Sequence, residues 1–381
     1  MRIAILNWRD LTHPEGGGAE RYAQTISAGL AARGHDVTFF CAAHAHAAPV
    51  EEIDGYRIVR RGGRTTVYPA ALRALRRSAR AHGRFDVVVD VQNGLPFWTP
   101  LAADLPVVSL VHHVHREQWP VVFGPVVARL GWFLESRVSP LVYRGHEYVT
   151  VSGRSRDELV DLGVEAGDIR VIHNGTDRPM ALGVPRSDQP TIVVLGRLVP
   201  HKRVELAIDV LARLRDRHPG IQLRIVGDGW WRDHVAAHAR ARGVSDIVHL
   251  LGYVDEVTKH RELSAAWLAL APSAKEGWGL NVVEAGSHGV PTIAHHGAGG
   301  LSESILDGLT GVLVHDVDGM VEATSELLSD ADRRRALGEQ ARVQAQRHTW
   351  DAAVDAWELL LLELTAQEGD ALPSRRAVAS A

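Results

Sequence analysis

A β-branched run, a glycine turn and a basic loop follow one another in Thr191-Ile192-Val193-Val194-Leu195-Gly196-Arg197-Leu198-Val199-Pro200-His201-Lys202-Arg203. The helical pattern Glu205–His218 comes next. The same alternation of short strands and longer helices runs through the whole chain, which is typical of parallel sheets covered by helices. The strand runs are almost entirely apolar, as expected of strands buried on both faces. The sequence therefore predicts an α/β fold.

The predicted strands form two series, one in each half of the chain. The first series is Arg2–Leu6, Val37–Cys41, Tyr56–Arg60, Asp86–Val91, Val107–Val111, Tyr148–Val151 and Ile169–Ile172. The second series is Thr191–Leu195, Leu223–Val226, Ile247–Leu251, Trp267–Ala271, Thr292–Ala294 and Gly311–Val314. Two such series predict two doubly wound, Rossmann-like domains that face a central cleft. Because ligands of such folds bind outside the carboxyl ends of the strands, we expect the chemistry in the strand-to-helix loops.

The domain boundaries follow from composition. We place the first domain at residues 1–177 and the second at 178–349. The stretch Asn174–Gln189 is the predicted linker, because it contains prolines and a glycine and shows little periodicity. A helix over residues 350–366 is predicted to pack back on the first domain. Residues 367–381 are predicted to form a disordered tail.

Composition excludes several classes of protein. The 381 residues are 45% hydrophobic and 23% charged, which is ordinary globular composition. A formal charge of −4 gives no basic field for nucleic acid. The single cysteine, Cys41, excludes an intramolecular disulfide and a multi-cysteine zinc site, and its apolar neighbours favour a core thiol. Without a signal-peptide pattern or an apolar run of about 20 residues, we expect a cytoplasmic protein. Composition does not indicate an oligomeric state.

Three loops carry candidate chemistry. In the first, Gly16, Gly17 and Gly18 precede a helix, where backbone N–H groups and the helix dipole favour an anion. A tight turn alone also explains these glycines, and the spacing is not the GxGxxG of a dinucleotide site. In the second loop, Arg197 and Lys202 would leave the carboxyl edge of the sheet and could neutralise a diphosphate. A solvated basic helix start is the alternative.

The third loop, Glu276-Gly277-Trp278-Gly279-Leu280-Asn281-Val282-Val283-Glu284, is the most informative. It follows the buried run Trp267–Ala271 and leads into a helix. Carboxylates accept paired hydrogen bonds from vicinal hydroxyls, and a helix N-terminus binds phosphate. Two acids seven residues apart are common by chance, but two glycines between them after a buried strand make a strong signal. The loop therefore predicts a site for a phosphorylated polyol.

This segment resembles the E-x7-E signature of retaining glycosyltransferases of family 4, which have the two-domain GT-B fold. Other matches occur in order along nearly the whole chain: Gly16–Gly18, the histidine after Val107–Val111, residues 171–177, Gly196-Arg197 with Lys202, and Gly227-Asp228-Gly229. Thr176 stands where the family usually has an aliphatic residue, which leaves the turn intact.

The resemblance implies a role for each matching residue. Arg197 and Lys202 would bind the diphosphate of a nucleotide-sugar donor, and Glu284 would hold its ribose. Glu276 and the backbone of residues 277–281 would hold the donor sugar. Lying beside the base would be Gly227, Tyr253 and Val254. His112 matches the histidine near the reacting sugar, with His113 and His115 as alternative alignments.

The resemblance also implies a mechanism. Family members retain the anomeric configuration, through a front-side displacement in which the leaving phosphate oxygen helps to deprotonate the acceptor hydroxyl. Cations and helix N-termini can stabilise the departing diphosphate without a metal. We therefore predict no metal site. Asp316-Val317-Asp318 spells the DxD of another glycosyltransferase fold, but it is interpreted as a helix cap. The pairs His44/His46 and His295/His296 lack acidic or cysteine partners at a ligand spacing.

Two features concern the acceptor. The helical pattern from Tyr68 to Arg84 carries Arg73, Arg76, Arg77, Arg80 and Arg84. A solvated face explains such a charge run, and the alternative is a surface for anionic phospholipid or a phosphorylated acceptor, with the protein peripheral at the membrane. The apolar stretch around 119–127 and 132–134 either packs in the core, lines an acceptor pocket or contacts a lipid-linked acceptor.

The sequence therefore predicts a metal-independent, retaining glycosyltransferase. It would move a hexose-type sugar from a nucleoside diphosphate to an acceptor hydroxyl, in glycan, glycolipid or natural-product biosynthesis. One alternative is a non-hydrolysing nucleotide-sugar epimerase, which shares the two-domain architecture. A nicotinamide-dependent oxidoreductase is less favoured, because the dinucleotide fingerprint is missing. The donor base, the sugar, the acceptor and the linkage are left open.

Overall fold

The computed structural model describes residues 1–376 of the chain. They form two compact units. The first unit contains Met1–His173 and the chain from Trp350 onward, and the second contains Asn174–Thr349. Within the described residues, none of the helices combines the length and the apolar character that crossing a membrane requires.

The first unit is an eight-stranded sheet with helices on both faces. Its strands are β1 (Arg2–Leu6), β2 (Asp36–Cys41), β3 (Val50–Ile53), β4 (Tyr56–Arg60), β5 (Val87–Gln92), β6 (Val107–Val111), β7 (Glu147–Thr150) and β8 (Ile169–Val171). Its helices are α1 (Gly18–Ala32), α2 (Val67–His82), α3 (Trp119–Val122), α4 (Pro125–Phe133), α5 (Ser139–Val142) and α6 (Gly153–Asp161). A π-helical turn, Leu134–Val138, joins α4 to α5.

The second unit is a six-stranded parallel sheet with its own helices. Its strands are β9 (Thr191–Leu195), β10 (Gln222–Val226), β11 (Val248–Gly252), β12 (Leu268–Ala271), β13 (Thr292–His295) and β14 (Gly311–Val314). Its helices are α7 (Val204–Leu214), α8 (Arg232–Ala241), α9 (Glu256–Ala265), α10 (Leu280–Ser287), α11 (Leu301–Ser304), α12 (Val317–Ser329) and α13 (Ala331–Ala345). The chain then returns to the first unit with α14 (Trp350–Arg376).

The strand order determines where the loops with the candidate site residues lie. In the second unit the order is β11-β10-β9-β12-β13-β14. The chain winds from β9 outward to β11, and it then returns to pair β12 with the other side of β9. The loops that leave β9 and β12 therefore diverge at a topological switch point, where open α/β sheets bind ligands. In the first unit the order is β3-β4-β2-β1-β5-β6-β7-β8, and the switch lies between β1 and β5.

All thirteen predicted strands are present, with ends that differ by no more than one residue. The short strand β3 was missed. It is the edge strand, paired antiparallel with β4, and its glutamates Glu51 and Glu52 are only partly covered or exposed. An edge strand needs no continuous apolar run, so the pattern used for buried strands does not detect it.

The stretch predicted as a linker packs on the second unit. Arg186 donates to the carbonyls of Ala266 at 2.6 Å and His288 at 2.7 Å, which lie at the C-terminal ends of α9 and α10. A guanidinium stabilises such carbonyls, because they carry the negative end of the helix dipole. The unit boundary accordingly falls at His173–Asn174, slightly before the predicted residue 177.

Helix α14 packs against α1 in the first unit. The buried Trp357 donates its indole N–H to Tyr22 Oη at 2.6 Å, and Val354 lies against Gly29. Truncating a buried tryptophan typically costs about 3–5 kcal/mol, so this contact fixes α14 firmly. The helix continues to Arg376 where a disordered tail was predicted from residue 367, because each residue added to an existing helix gains a hydrogen bond. The rest of that tail, residues 377–381, lies outside the described residues.

Candidate functional site

Lys202 and Glu276 meet at the switch point of the second sheet. Lys202 ends a short 3-10 turn, Pro200–Lys202, in the loop after β9, and Glu276 stands in the loop after β12. The Lys202 ammonium contacts Glu276 Oε1, and Ser273 Oγ donates to the same oxygen at 2.7 Å. The two charged side chains are 18% and 13% exposed. The structure thus brings together a cation and a carboxylate that are 74 residues apart in the sequence.

This arrangement keeps Glu276 ionised. Burial raises the pKa of a carboxyl, but here the Lys202 charge and the hydrogen bonds from Lys202 and Ser273 outweigh it, so the pKa of Glu276 lies below its usual value. An ionised carboxylate accepts hydrogen bonds and donates none. Glu276 is therefore suited to binding hydroxyl groups and cannot serve as a proton donor at neutral pH.

A neighbouring loop holds the Glu276 loop in place. Glu276 N–H donates to Ala298 C=O at 3.1 Å, and Gly300 N–H donates to Glu276 C=O at 2.8 Å. Gly279 precedes α10 with φ +95°, a backbone conformation that favours glycine, and a Cβ there would overlap Leu301 Cδ2. This glycine lets the chain turn sharply from the Glu276 loop into α10.

The first turn of α10 faces the same edge of the sheet. No side chain caps the helix, because its N-cap residue is Gly279. Asn281 donates its side-chain amide to Leu195 C=O at 3.2 Å, which ties α10 to the end of β9. A helix N-terminus without a capping side chain attracts anions through its N–H groups and its dipole. Trp278 is buried just before this turn, with its ring 4.9 Å from that of His348.

Glu284 has a partner that the sequence did not predict. Lys259 Nζ on α9 lies 2.8 Å from Glu284 Oε1 and 2.7 Å from Glu256 Oε2. Lys259 is buried, and Glu284 is largely covered. In the sequence, Lys259 and Glu256 are spaced i,i+3, as in an ordinary ion pair on a helix surface. Nothing in the local sequence therefore distinguishes Lys259. Lys259 holds the Glu284 carboxylate in one orientation.

The residues predicted near a base lie on loops that touch one another. Gly227 N–H donates to Gly252 C=O at 2.9 Å, and Gly196 N–H donates to Val226 C=O at 3.0 Å. Gly227 has φ +136°, and a Cβ on it would overlap Gly196 C=O. Tyr253 is 89% exposed directly after β11, whereas Val254 is partly buried against the core. Arg197 is exposed on the loop after β9.

The structure separates the three candidate histidines of the first unit. His112 follows β6 and is buried, with its ring 5.2 Å from that of Tyr22. Its Nε2 atom is buried and has no hydrogen-bond partner among the described residues. Burial, with the nearby His115 as a second cause, lowers the pKa of His112 to about 3, so this ring is neutral.

His113 and His115 have different surroundings. The ring of His113 lies 4.2 Å from that of His115, which is 3.1 Å from the buried Glu135 through Nδ1. Glu135 also accepts from the indole N–H of Trp119 at 2.5 Å. Because Glu135 is a lone acid within an apolar stretch, the sequence analysis did not identify it. Of the three histidines, His112 has the buried, unpartnered nitrogen expected beside a ligand.

Two backbone N–H groups of the glycine loop in the first unit donate hydrogen bonds within the loop and to the start of α1. Gly16 N–H donates to His13 C=O at 2.8 Å, and Gly17 N–H donates to Glu20 Oε2 at 2.8 Å. Glu20 is buried and caps the start of α1. Since a carboxylate occupies this helix start, Gly16–Gly18 offers fewer donors to an anion than the sequence pattern predicted.

The residues of the DxD segment and of the two histidine pairs, considered above as metal ligands, contact other side chains or backbone groups. Asp316 Oδ1 accepts from Gly319 N–H at 2.8 Å and caps α12, and Asp318 contacts Arg213. His44 lies 3.1 Å from the buried Asp10, and the ring of His296 stacks on that of His315. Across residues 1–376, His, Cys, Asp and Glu form no group of three or more that could hold a metal ion.

Two Rossmann-like sheets, with an E-x7-E segment at the switch point of the second, define the class of GT-B glycosyltransferases. Two family descriptions match the chain: Glycosyltransferase Family 4 over residues 16–178, and Glycosyl transferases group 1 over residues 182–344. The chain belongs to the GT-B glycosyltransferases of the family 4 type.

Two curated relatives match nearly the whole chain. It is 29% identical to a glycogen synthase of Mycobacterium tuberculosis, over 99% of this chain and 97% of that protein. It is 28% identical to a D-inositol 3-phosphate glycosyltransferase of Nocardia farcinica, over 92% and 86%. Sucrose-phosphate synthase from Thermosynechococcus elongatus shares the fold, with a TM-score of 0.83, 22% identity and coverage of 96% and 99%.

The chain is therefore a hexosyl glycosyltransferase that transfers a sugar from a nucleotide sugar. This finding confirms the predicted activity and favours it over the epimerase and the oxidoreductase.

Proposed function

We propose that this glycosyltransferase binds its nucleoside diphosphate sugar at the carboxyl edge of the second sheet and transfers the sugar with retention, without a metal. The contact between Lys202 and Glu276, next to the uncapped start of α10, carries the proposal. A diphosphate needs cations and N–H donors, and a sugar needs a fixed acceptor of hydrogen bonds. The switch point supplies all three within one edge.

Different loops bind the successive chemical groups of the donor. Arg197, Lys202 and the N-terminus of α10 bind the diphosphate. Glu276 and the backbone of residues 277–281 bind the sugar. Glu284, oriented by Lys259, accepts the ribose hydroxyls. Gly227 and the Tyr253-Val254 pair lie beside the base.

The electrostatics support a front-side displacement. The bond from the anomeric carbon to the phosphate oxygen breaks, and the bond to the acceptor oxygen forms on the same face. The acceptor proton passes to the departing diphosphate. Lys202 and the α10 dipole stabilise the charge on that leaving group, which is the main electrostatic requirement of the step. The ionised Glu276 provides a polar contact to the sugar.

The acceptor and the location stay predictions. The two curated relatives are named for different products, so their names do not select one acceptor hydroxyl. The five arginines of the Arg73–Arg84 region are all exposed, and no acidic residue occurs between Asp54 and Asp86. This charge supports α2 as a contact for an anionic surface, peripheral to the membrane. The cytoplasmic location predicted from the sequence rests on the sequence alone.

Release of nucleoside diphosphate from a panel of nucleotide sugars tests the proposal, because slow transfer to water reports donor turnover without a known acceptor. A thermal-shift screen with the nucleoside diphosphates identifies the base, since a tight ligand raises apparent stability. We expect release to continue in excess chelator and the first-formed sugar to keep the donor's anomeric configuration in its NMR spectrum. An inverted first product would overturn the retaining mechanism, and loss of release on chelation would overturn metal independence.

A further inference from the structure

Helix α4 of the first unit turns apolar side chains outward. Val126 is 77% exposed and Leu130 is 56% exposed, and Val121, Val122, Val127 and Phe133 are exposed beside them. Positions 126, 127, 130 and 133 share one helical face. A surface helix normally buries its apolar face, so this face is inverted relative to the usual pattern. An exposed apolar patch of this kind marks a place of interaction.

The opposite side of α4 is firmly packed. Ala128 and Gly131 are buried, and a Cβ on Gly131 would overlap the Trp119 ring. Trp119 is in turn held by Glu135, the residue that also binds His115. The apolar face is therefore not a loosely attached segment, because its support is a buried aromatic ring and a buried carboxylate.

The charges around this face are positive. Arg129, Arg137 and Arg144 are exposed, and the only acidic residue from Gln118 to Arg144 is the buried Glu135. The basic helix α2 covers the same face of the sheet, since Leu75 of α2 joins a core that Trp132 and Val142 also contact. Apolar side chains surrounded by arginines match the interface of an anionic bilayer, where the apolar groups enter and the cations meet the headgroups.

We propose that α3 and α4 form a membrane-docking surface that seats the first unit on anionic phospholipid. A second copy of the chain fits less well, because a symmetric contact through α4 would bring the same arginines together. Docking at α3–α4 places the membrane next to residues 112–115, since this helix pair follows directly from them and Glu135 joins His115 to Trp119. The proposal adds an apolar contact to the charged one of α2 and does not depend on the donor site.

Vesicle flotation of the full chain tests the docking surface. We expect the protein to float with vesicles of phosphatidylglycerol mixed with phosphatidylcholine, and much less with phosphatidylcholine alone. The double variant Val126→Ser/Leu130→Ser should lower the bound fraction about tenfold or more, because inserted apolar area drives such binding. Leu359→Ser is the matched control, since Leu359 on α14 is 59% exposed, and it should bind like the unmodified chain.

A fluorescent label distinguishes insertion from surface attraction. Cys41 is the sole cysteine and is buried, so Val126→Cys and Leu359→Cys can each be labelled selectively with an environment-sensitive dye. The dye at position 126 should shift to shorter wavelength on addition of the anionic vesicles, and the dye at 359 should not. Absence of flotation, equal behaviour of the two positions, or a dimer that Leu130→Ser dissociates in light scattering would each overturn the proposal.

Discussion

The contact between Lys202 and Glu276 allows a sharp test of the donor site by a double-mutant cycle. Breaking a fully buried ion pair costs about 3–5 kcal/mol, and an exposed pair contributes about 0–1 kcal/mol. Lys202 and Glu276 are 18% and 13% exposed, and Ser273 still donates to Glu276 when the lysine is removed. We therefore expect Lys202→Ala to lower the free energy of unfolding by about 2 kcal/mol at pH 7, measured by urea denaturation.

The same substitution removes a cation from the diphosphate. A charge-assisted hydrogen bond contributes about 1.5–3 kcal/mol, which corresponds to a loss of about 10- to 150-fold in kcat/KM. Glu276→Gln should also depress transfer, because it removes the ionised acceptor for the sugar. The stability loss of the double variant should be about 1 kcal/mol smaller than the sum of the losses of the two single variants, because either change alone breaks the pair.

Transfer should not recover in the double variant, because each residue contacts a different part of the donor. Arg224→Ala is the control, because it breaks the Arg224–Glu262 pair of the same unit, in which Arg224 Nη2 lies 2.9 Å from Glu262. It should lower stability and leave kcat/KM near its original value. If the Lys202 and Glu276 double variant regained full turnover, the pair would be purely structural and the assigned donor site would be wrong.

The pH dependence of stability follows from the lowered pKa of Glu276. The folded state binds the proton of this carboxyl more weakly than the unfolded chain, whose pKa is near 4.5. The stabilisation is complete above pH 4.5 and is lost as the pH falls through the lowered folded pKa. Without the Lys202 ammonium, only the Ser273 hydrogen bond and the nearby His201 charge oppose the effect of burial on this pKa, so Lys202→Ala should reduce the contribution.

Three further outcomes are expected. Gly279→Ala should lower the free energy of unfolding by about 1–3 kcal/mol and weaken nucleoside diphosphate binding in calorimetry, because φ is +95° and Leu301 blocks the new methyl group. Gly297→Ala, where no atom lies within 4 Å of the new Cβ, should be nearly neutral, and equal effects of the two would contradict the strain argument. His112 binds a proton more readily in the unfolded chain, because burial lowers its pKa from 6.5 to about 3, so stability falls as the pH falls through this range. His112→Asn should reduce that slope by up to about 1.4 kcal/mol per pH unit in urea denaturation, and an unchanged slope would show that the ring is not buried in its neutral form. Nucleoside diphosphate release should persist in excess EDTA, and activity that returns only with a divalent cation would refute the metal-free chemistry.

Local pattern was enough to predict much of this molecule. The apolar runs marked all the parallel strands, because a strand buried on both faces leaves an uninterrupted signature over a few residues. The loops with Lys202 and Glu276 were predicted because glycines and charges after such runs fall at the carboxyl edge of a sheet. The edge strand β3 was missed because its four residues are exposed or only partly covered.

The same reasoning could not identify the residues that hold the site residues in place. Lys259 lies in a helix with several charges and Glu135 is a lone acid, so neither stands out in the sequence, and their roles arise from distant partners, Glu284 and Trp119. The apolar stretch near residue 126 left core packing and lipid contact equally open. The structure distinguishes its two sides, since Ala128 is buried and Val126 is exposed.

By itself, then, the sequence determined the fold class, the order of the motifs and the kind of chemistry that they serve, because periodicity and turn residues are encoded within short segments. Only the tertiary structure decided which of these residues meet. Lys202 reaches Glu276 because β12 pairs with β9 on the side opposite β10, and strand order depends on packing between segments far apart in the chain. The same dependence decided that His112 is buried and that the outer side chains of α4 face solvent.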